Sequence, residues 1–178
     1  TWEYYQTKDD PKNTYIEGER VRGLFYEPKT IGKDSTDYAS MALTTPMHGA
    51  TYKRMWLNGG WWDGLQDMMD DFTADGELEA ESFYTAQDAE NSDSNMGSLC
   101  LKRKIAAGES ELFEFYISWH FPYRVDSWSE EMYENEVLKK HPGSEVIKKR
   151  KYYATVWKDA WDVAEYVGKN FERLYGDT

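Results

Sequence analysis

Residues 152–175, "YYATVWKDAWDVAEYVGKNFERLY", constrain this chain more than any other stretch. Tyr153, Trp157, Ala160, Trp161, Ala164, Val167, Phe171 and Leu174 recur at three- and four-residue steps, the period of one helical face. Val163 and Tyr166 lie off that stripe and widen it. A helix with so broad an apolar surface needs cover on two sides. One side calls for a sheet in the same domain, and the other for a neighbouring domain. Glu165 and Lys169 are ordered for an i,i+4 pair, and Gly176 is a stop signal.

The rest of the chain supplies strands. "YASMALTT" at 38–45 and "TYKRMWL" at 51–57 read as strands around a turn at Pro46–Ala50. Val21 to Tyr26 is the best strand in residues 1–37, which are otherwise poorly periodic. Trp61, Leu65, Met68 and Phe72 have helical spacing, so a short helix is expected near 61–72, with Asn58 available to cap it. Asp70 and Asp71 at its far end oppose the helix dipole and call for partners. Residues 73–96 and 122–150 read as long polar segments.

Between those segments lies an expected hairpin. Its arms are "GSLCLKRKIA" and "ELFEFYISWHF", with a turn at "AGES". Phe113, Phe115, Ile117 and Trp119 alternate with Glu114, Tyr116 and Ser118. Period two marks a strand with one face buried, and the apolar row is the expected inner face. Trp61 and Trp119 read as plugs of the core.

Lys and Arg total 21 against 33 Asp and Glu, a formal charge of −12. That balance argues against a phosphate-binding surface and hence against nucleic acid. Aromatic residues make up 16 %, including eight Trp and fourteen Tyr. Such a mixture serves a large core, and it also serves sugar binding, because flat rings stack on pyranose C–H faces. Cys100 is the single cysteine, so no internal disulfide can form. No apolar run approaches the ~20 residues of a membrane helix, and a soluble protein is expected, its compartment left open.

Residues able to carry chemistry are sparse. "DFTADGELEAES" imitates a calcium loop from Asp71, but its twelfth position is Ser82 where a bidentate Glu is wanted. A tight acidic turn with Gly76 at positive φ is the better reading. His48, His120 and His141 are dispersed, which leaves no zinc cluster. Cys100 reads as a small buried hydrophobe. A carboxylate pair among Asp63, Asp67, Asp70, Asp71 and Asp75 cannot be told from solubilising acids. Aromatic and polar groups at strand ends remain. Trp62, His120, Tyr123, Arg124 and Trp128 are the candidates for a carbohydrate-binding rim.

"MALTT", "WWDGLQDMMDDFTADGELE", "AAGESELFEFYISWHFPYR" and "YYATVWKDAWDVAEYV" occur in that order. Together they resemble the N-terminal domain of glycoside hydrolase family 116, of the bile-acid β-glucosidase or non-lysosomal glucosylceramidase type. The resemblance runs from about Tyr38 to the end, and "SWHFP" and the start of the terminal helix are its most specific parts. It implies an ancillary antiparallel β-sandwich preceding an (α/α)6 barrel, which would hold a Glu nucleophile and an Asp acid/base. No catalytic residue transfers to this chain. The family's glycine-rich opening is not found in residues 1–37, so the chain corresponds to the later half of the sandwich, with an exposed sheet edge or apolar face prone to self-association.

The expectation is therefore mostly β: an antiparallel sandwich, or part of a supersandwich, with a short helix near 61–72 and a long one near 153–175. Residues 1–150 would form the sandwich portion. Residues 151–178 would form a connector toward the (α/α)6 catalytic domain of the same polypeptide, with Trp157, Trp161, Phe171 and Leu174 at the domain interface. The chain is expected to be inactive alone, with no catalytic residue, metal or cofactor of its own. Carbohydrate or glycolipid would be the substrate of the parent enzyme. A stand-alone carbohydrate-binding module, using Trp62, Tyr123 and Trp128, and a structural interaction domain are the alternatives.

Overall fold

The structure, a computed structural model, describes residues 11–56, 63–80, 96–125 and 148–178. Four antiparallel strands form the main sheet: β1 (Pro11–Glu17), β2 (Arg22–Pro28), β3 (Ser40–Thr45) and, fourth in spatial order, β6 (Tyr116–His120). Two smaller sheets pair β4 (Ala50–Lys53) with β5 (Ser98–Leu101), and β7 (Tyr123–Val125) with β8 (Lys148–Arg150). The described helices are α1 (Asp63–Asp75), α2 (Tyr153–Val156) and α3 (Ala160–Gly176). This is the antiparallel, mostly β architecture expected from the sequence, with its short and C-terminal helices. None of the described helices is long and apolar enough to cross a membrane.

The register shows which residues share a face. Opposed pairs such as Phe25↔Ala42 and Ala42↔Ser118 put Phe25, Ala42 and Ser118 on one side of the main sheet. Helix α3 covers that side. Its Ala160 and Ala164 are fully buried against Val21, Phe25 and Ala42, because alanine lets a helix approach a sheet closely. The Ala160 N–H donates to Ser40 Oγ at 3.0 Å. Helix α3 and the main sheet thus share one core.

Among the described residues, the other side of the main sheet is covered over β1 and β2 only. Tyr15 of β1 stacks on Tyr52 of β4 with ring centroids 3.8 Å apart. The Asn13 amide donates to the Arg54 carbonyl at 3.1 Å. Strand β2 is therefore enclosed on both faces, and Arg22, Gly23, Leu24 and Phe25 are buried in succession. Double burial removes the period-two signal in β2, which reads as a strand from its apolar run alone, while the half-buried edge strand β1 gives no such run.

Two expectations about the β5–β6 region are corrected. The turn exists, with Gly108 at φ +84° and the Glu109 N–H on the Ala106 carbonyl at 3.1 Å. Its arms do not pair with each other, however: β5 pairs with β4, and β6 with β3, in separate sheets. The expected inner row is also the outer one. Ile117 and Trp119 are 63 % and 60 % exposed, whereas Ser118 and His120 are buried. The physical reason is that α3 lies over β3 and β6 on the Ser118 side, and among the described residues no element covers the other side.

The terminal helix is likewise interrupted. Trp157 is extended (φ −112°, ψ 139°), and Asp159, also extended, starts α3 by accepting from the Asp162 N–H at 2.9 Å. An aspartate N-cap favours a fresh start over a continuous helix. Glu165 does not serve a pair along the helix. Its carboxylate crosses to the β1–β2 turn and accepts from the Arg20 N–H at 2.9 Å.

Candidate functional site

Strand β6 ends against the segment that joins α2 to α3, and His120 ties the two together. It is 1 % exposed, so it lies beneath the surface and not on a rim. Its Nε2 lies 3.0 Å from the Trp157 carbonyl, and its ring meets the edge of Tyr153 at 5.3 Å between centroids. Tyr153 bridges the same strand end: its hydroxyl donates to the Phe121 carbonyl at 2.6 Å and accepts from the Phe121 N–H at 3.1 Å. The extended Trp157 presents its carbonyl here because the helix breaks at that residue.

His120 Nδ1 is buried without a hydrogen-bond partner. Burial holds the imidazole below its usual pKa, against the opposing pull of the Trp157 carbonyl and of Asp159. A protonated Nδ1 would place an N–H where no acceptor stands. The unfolded chain binds this proton below about pH 6.5 while the folded chain resists it. Stability should therefore fall as pH drops from about 6.5 toward the folded pKa. His120→Gln should flatten that slope in urea titrations between pH 7 and pH 5; an unchanged slope would remove His120 as the cause.

Tyr123 and Arg124 lie on β7, beyond the strand end. The Tyr123 hydroxyl donates to Asp34 Oδ1 at 3.1 Å, and this bond raises its pKa. The Lys148 ammonium sits 4.8 Å from the Tyr123 ring centroid and donates to the Asp34 carbonyl. One ring face thus holds a cation. Arg124 is exposed, opposite Lys149 of β8. Trp62 and Trp128 lie outside the described residues. The structure therefore places Tyr123 and Arg124 next to each other on β7, three and four residues after the buried His120.

The four residues expected at a domain interface are each half-buried. Trp161 meets Phe25 edge-on at 6.5 Å, and Phe171 lies 5.3 Å from Tyr116, so both reach the sheet. Trp157 turns to Tyr166 at 5.3 Å, and Val156, Tyr166 and Tyr175 are exposed. Between the β1–β2 turn and α3 runs a groove of about 330 Å³, lined in part by Arg20, Trp157, Asp162, Glu165 and Tyr166. Its carboxylates accept and its cations donate, and two rings offer apolar faces.

The acids of α1 have a different role from the one considered for them. Lys53 is wholly buried, 3.0 Å from Asp67 Oδ2 and 3.4 Å from Asp71 Oδ2. Asp71 also accepts from the Glu79 N–H at 3.0 Å. The pair faces a lysine and clamps α1 to β4. Sequence reasoning asked for a partner to Asp71 but did not identify Lys53. The available signal was two aspartates at i,i+4 on one helix face, which repel unless a cation lies between them. At the loop considered for calcium, Gly76 takes φ +82° as expected. Lys102 donates to the Asp75 carbonyl at 2.6 Å and pairs with Glu77 at 3.3 Å. Among the described residues no group of three or more metal-binding side chains converges.

A family model described as "beta-glucosidase 2, glycosyl-hydrolase family 116 N-term" matches residues 1–174. No curated protein matches the chain.

Proposed function

The chain belongs to the N-terminal domain family of glycosyl hydrolase family 116, and on that premise we propose that it is a non-catalytic scaffold for the catalytic domain of the same polypeptide. The match over residues 1–174 carries this reading. Residues 1–150 would be the sandwich portion and 151–178 the connector. The outward side of α2 and α3, with Val156, Trp157, Tyr166 and Tyr175, would meet an (α/α)6 barrel. Trp161, Phe171 and Leu174 would brace that contact from the sheet side.

The parent would cleave a β-glucoside, as carbohydrate or glycolipid, with two carboxylates about 5–5.5 Å apart if it retains configuration. Asp67 and Asp71 do not suit that work, because both turn to one buried lysine, Lys53, and hold α1 to β4. The purified chain should therefore release no aglycone from an aryl β-glucoside above the buffer rate. Turnover that co-purifies with the chain and survives an affinity step would overturn the reading.

The groove beside Trp157 and Tyr166 favours carbohydrate binding as a second reading, with the Tyr123–Arg124 hairpin as a further candidate surface. Titration with a β-gluco-oligosaccharide separates the two: saturable shifts lost in Trp157→Ala support binding, and a flat titration leaves the scaffold.

A further inference from the structure

Among the described residues nothing covers one apolar face of the half-sheet formed by β3 and β6, and we infer that a second copy of this chain packs against it. Ile117 and Trp119 point away from α3, opposite Leu43 and Met41 of β3. Phe115 and Phe113, two and four residues before Ile117, are exposed as well. A soluble domain seldom leaves such a row in water.

Three features select a second copy as the occupant. The first is continuity: over β1 and β2 this same face already carries a packed sheet, β4–β5, so its remaining half continues an existing sheet-on-sheet interface. The second is self-complementarity. Exposed Glu109 and Glu111 precede the apolar row, and exposed Arg124 and Lys149 follow it on β7 and β8. A two-fold axis through the row, with strands antiparallel, lays the acidic end of each copy over the basic end of the other. The third is size. With aromatic side chains at about 150–250 Å² each, the exposed fractions of this row amount to roughly 500 Å² per copy. A standard interface buries about 800 Å² per partner. The apolar row supplies more than half of that and the charged ends form the rim, which fits a weak, reversible dimer.

The contact is between faces, not edges. Pairing of β6 with β6 along their free edges would leave Ile117 and Trp119 in water. The two arrangements therefore respond differently to substitution. The inference is independent of the scaffold role, since it concerns a different surface from the outward side of α3, and its failure would leave the glucoside assay unaffected.

Sedimentation equilibrium of the full chain, up to about 200 μM, is the test. A monomer–dimer equilibrium is expected in the micromolar range. Ile117→Asp and Trp119→Asp should each weaken it at least about tenfold while far-UV circular dichroism and the melting midpoint stay unchanged, because both side chains are exposed in the monomer. Glu111→Lys should weaken it too, and adding Arg124→Glu should restore it. A chain that stays monomeric throughout, or a dimer indifferent to Ile117→Asp and Trp119→Asp, would overturn the proposal.

Discussion

Lys53→Met should lower the stability of this domain by about 3–5 kcal/mol, the usual effect of removing one partner from a buried charge pair. At about 2–4 °C per kcal/mol for a chain of this length, the melting midpoint should drop by roughly 10 °C or more. Lys53 is completely enclosed, and Asp67 is 3 % exposed. Methionine keeps the length and the apolar stem but deletes the ammonium, leaving two carboxylates, Asp67 buried and Asp71 nearly so, without their cation. Coupling to the helix end adds to the loss, because Asp71 also holds the Glu79 N–H and Leu78 N–H donates to Thr51 Oγ1 of β4. The triple variant Lys53→Met, Asp67→Leu, Asp71→Asn should recover most of the loss, since a buried ion cluster can be exchanged for apolar groups at little net cost. Asparagine at 71 still accepts from Glu79. A single variant that melts within about 2 °C of the parent would mean that the clamp contributes little.

The clamp also shows how far residue patterns carry. Strands 38–45 and 51–57 and the helix near 61–72 overlap β3, β4 and α1; β3 keeps its period, whereas α1 turns Asp67 inward and leaves Leu65 and Phe72 of the expected apolar stripe exposed. The dipole misfit at Asp71 correctly asked for a cation. No local pattern could say that the cation is Lys53, since the contact depends on how α1 crosses β4. The β5–β6 reading failed for a related reason. Both arms alternate, but alternation fixes which residues share a face and says nothing of which strand lies alongside. The tertiary contacts of α3 with Ser40 and of its alanines with the sheet decide that Ser118 and His120 go inward.

The candidate site was legible in part. "SWHFP" read as a strand end, and β6 does end at His120, which lies against the Trp157 carbonyl between α2 and α3. Its burial was not legible, because a polar residue at a strand end is exposed by default and only the extended Trp157 carbonyl gives this one an inward partner. The break in the terminal helix was hidden by its own stripe: Trp157 fits the helical spacing although its backbone is extended. Asp159 was the local sign, an N-cap residue inside an apolar run.

Gly23→Ala should be as damaging as Lys53→Met, by a different route. Gly23 lies on β2 opposite Thr44 of β3, with φ +152°, a conformation that side chains with a Cβ rarely adopt. A Cβ there would stand 2.1 Å from the Leu43 carbonyl oxygen and 2.8 Å from Thr44 Cα. Both obstacles are backbone. They belong to β3, which is held on one side by β2 and on the other by β6, so they cannot yield without breaking a ladder. Strain at φ and overpacking each cost about 1–3 kcal/mol, and here they act together, for a loss on the order of 3–5 kcal/mol. Gly32→Ala is the control: nothing lies within 4 Å of its Cβ position, and it should stay within about 0.5 kcal/mol of the parent. Because β3 carries Ser40, the anchor of α3, a strained β2–β3 ladder should also loosen the connector. Faster amide exchange at Ala160, relative to the Gly32→Ala protein, would report this. If Gly23→Ala melts like the control, the β2–β3 register is wrong, and with it the assignment of Ile117 and Trp119 to the open face.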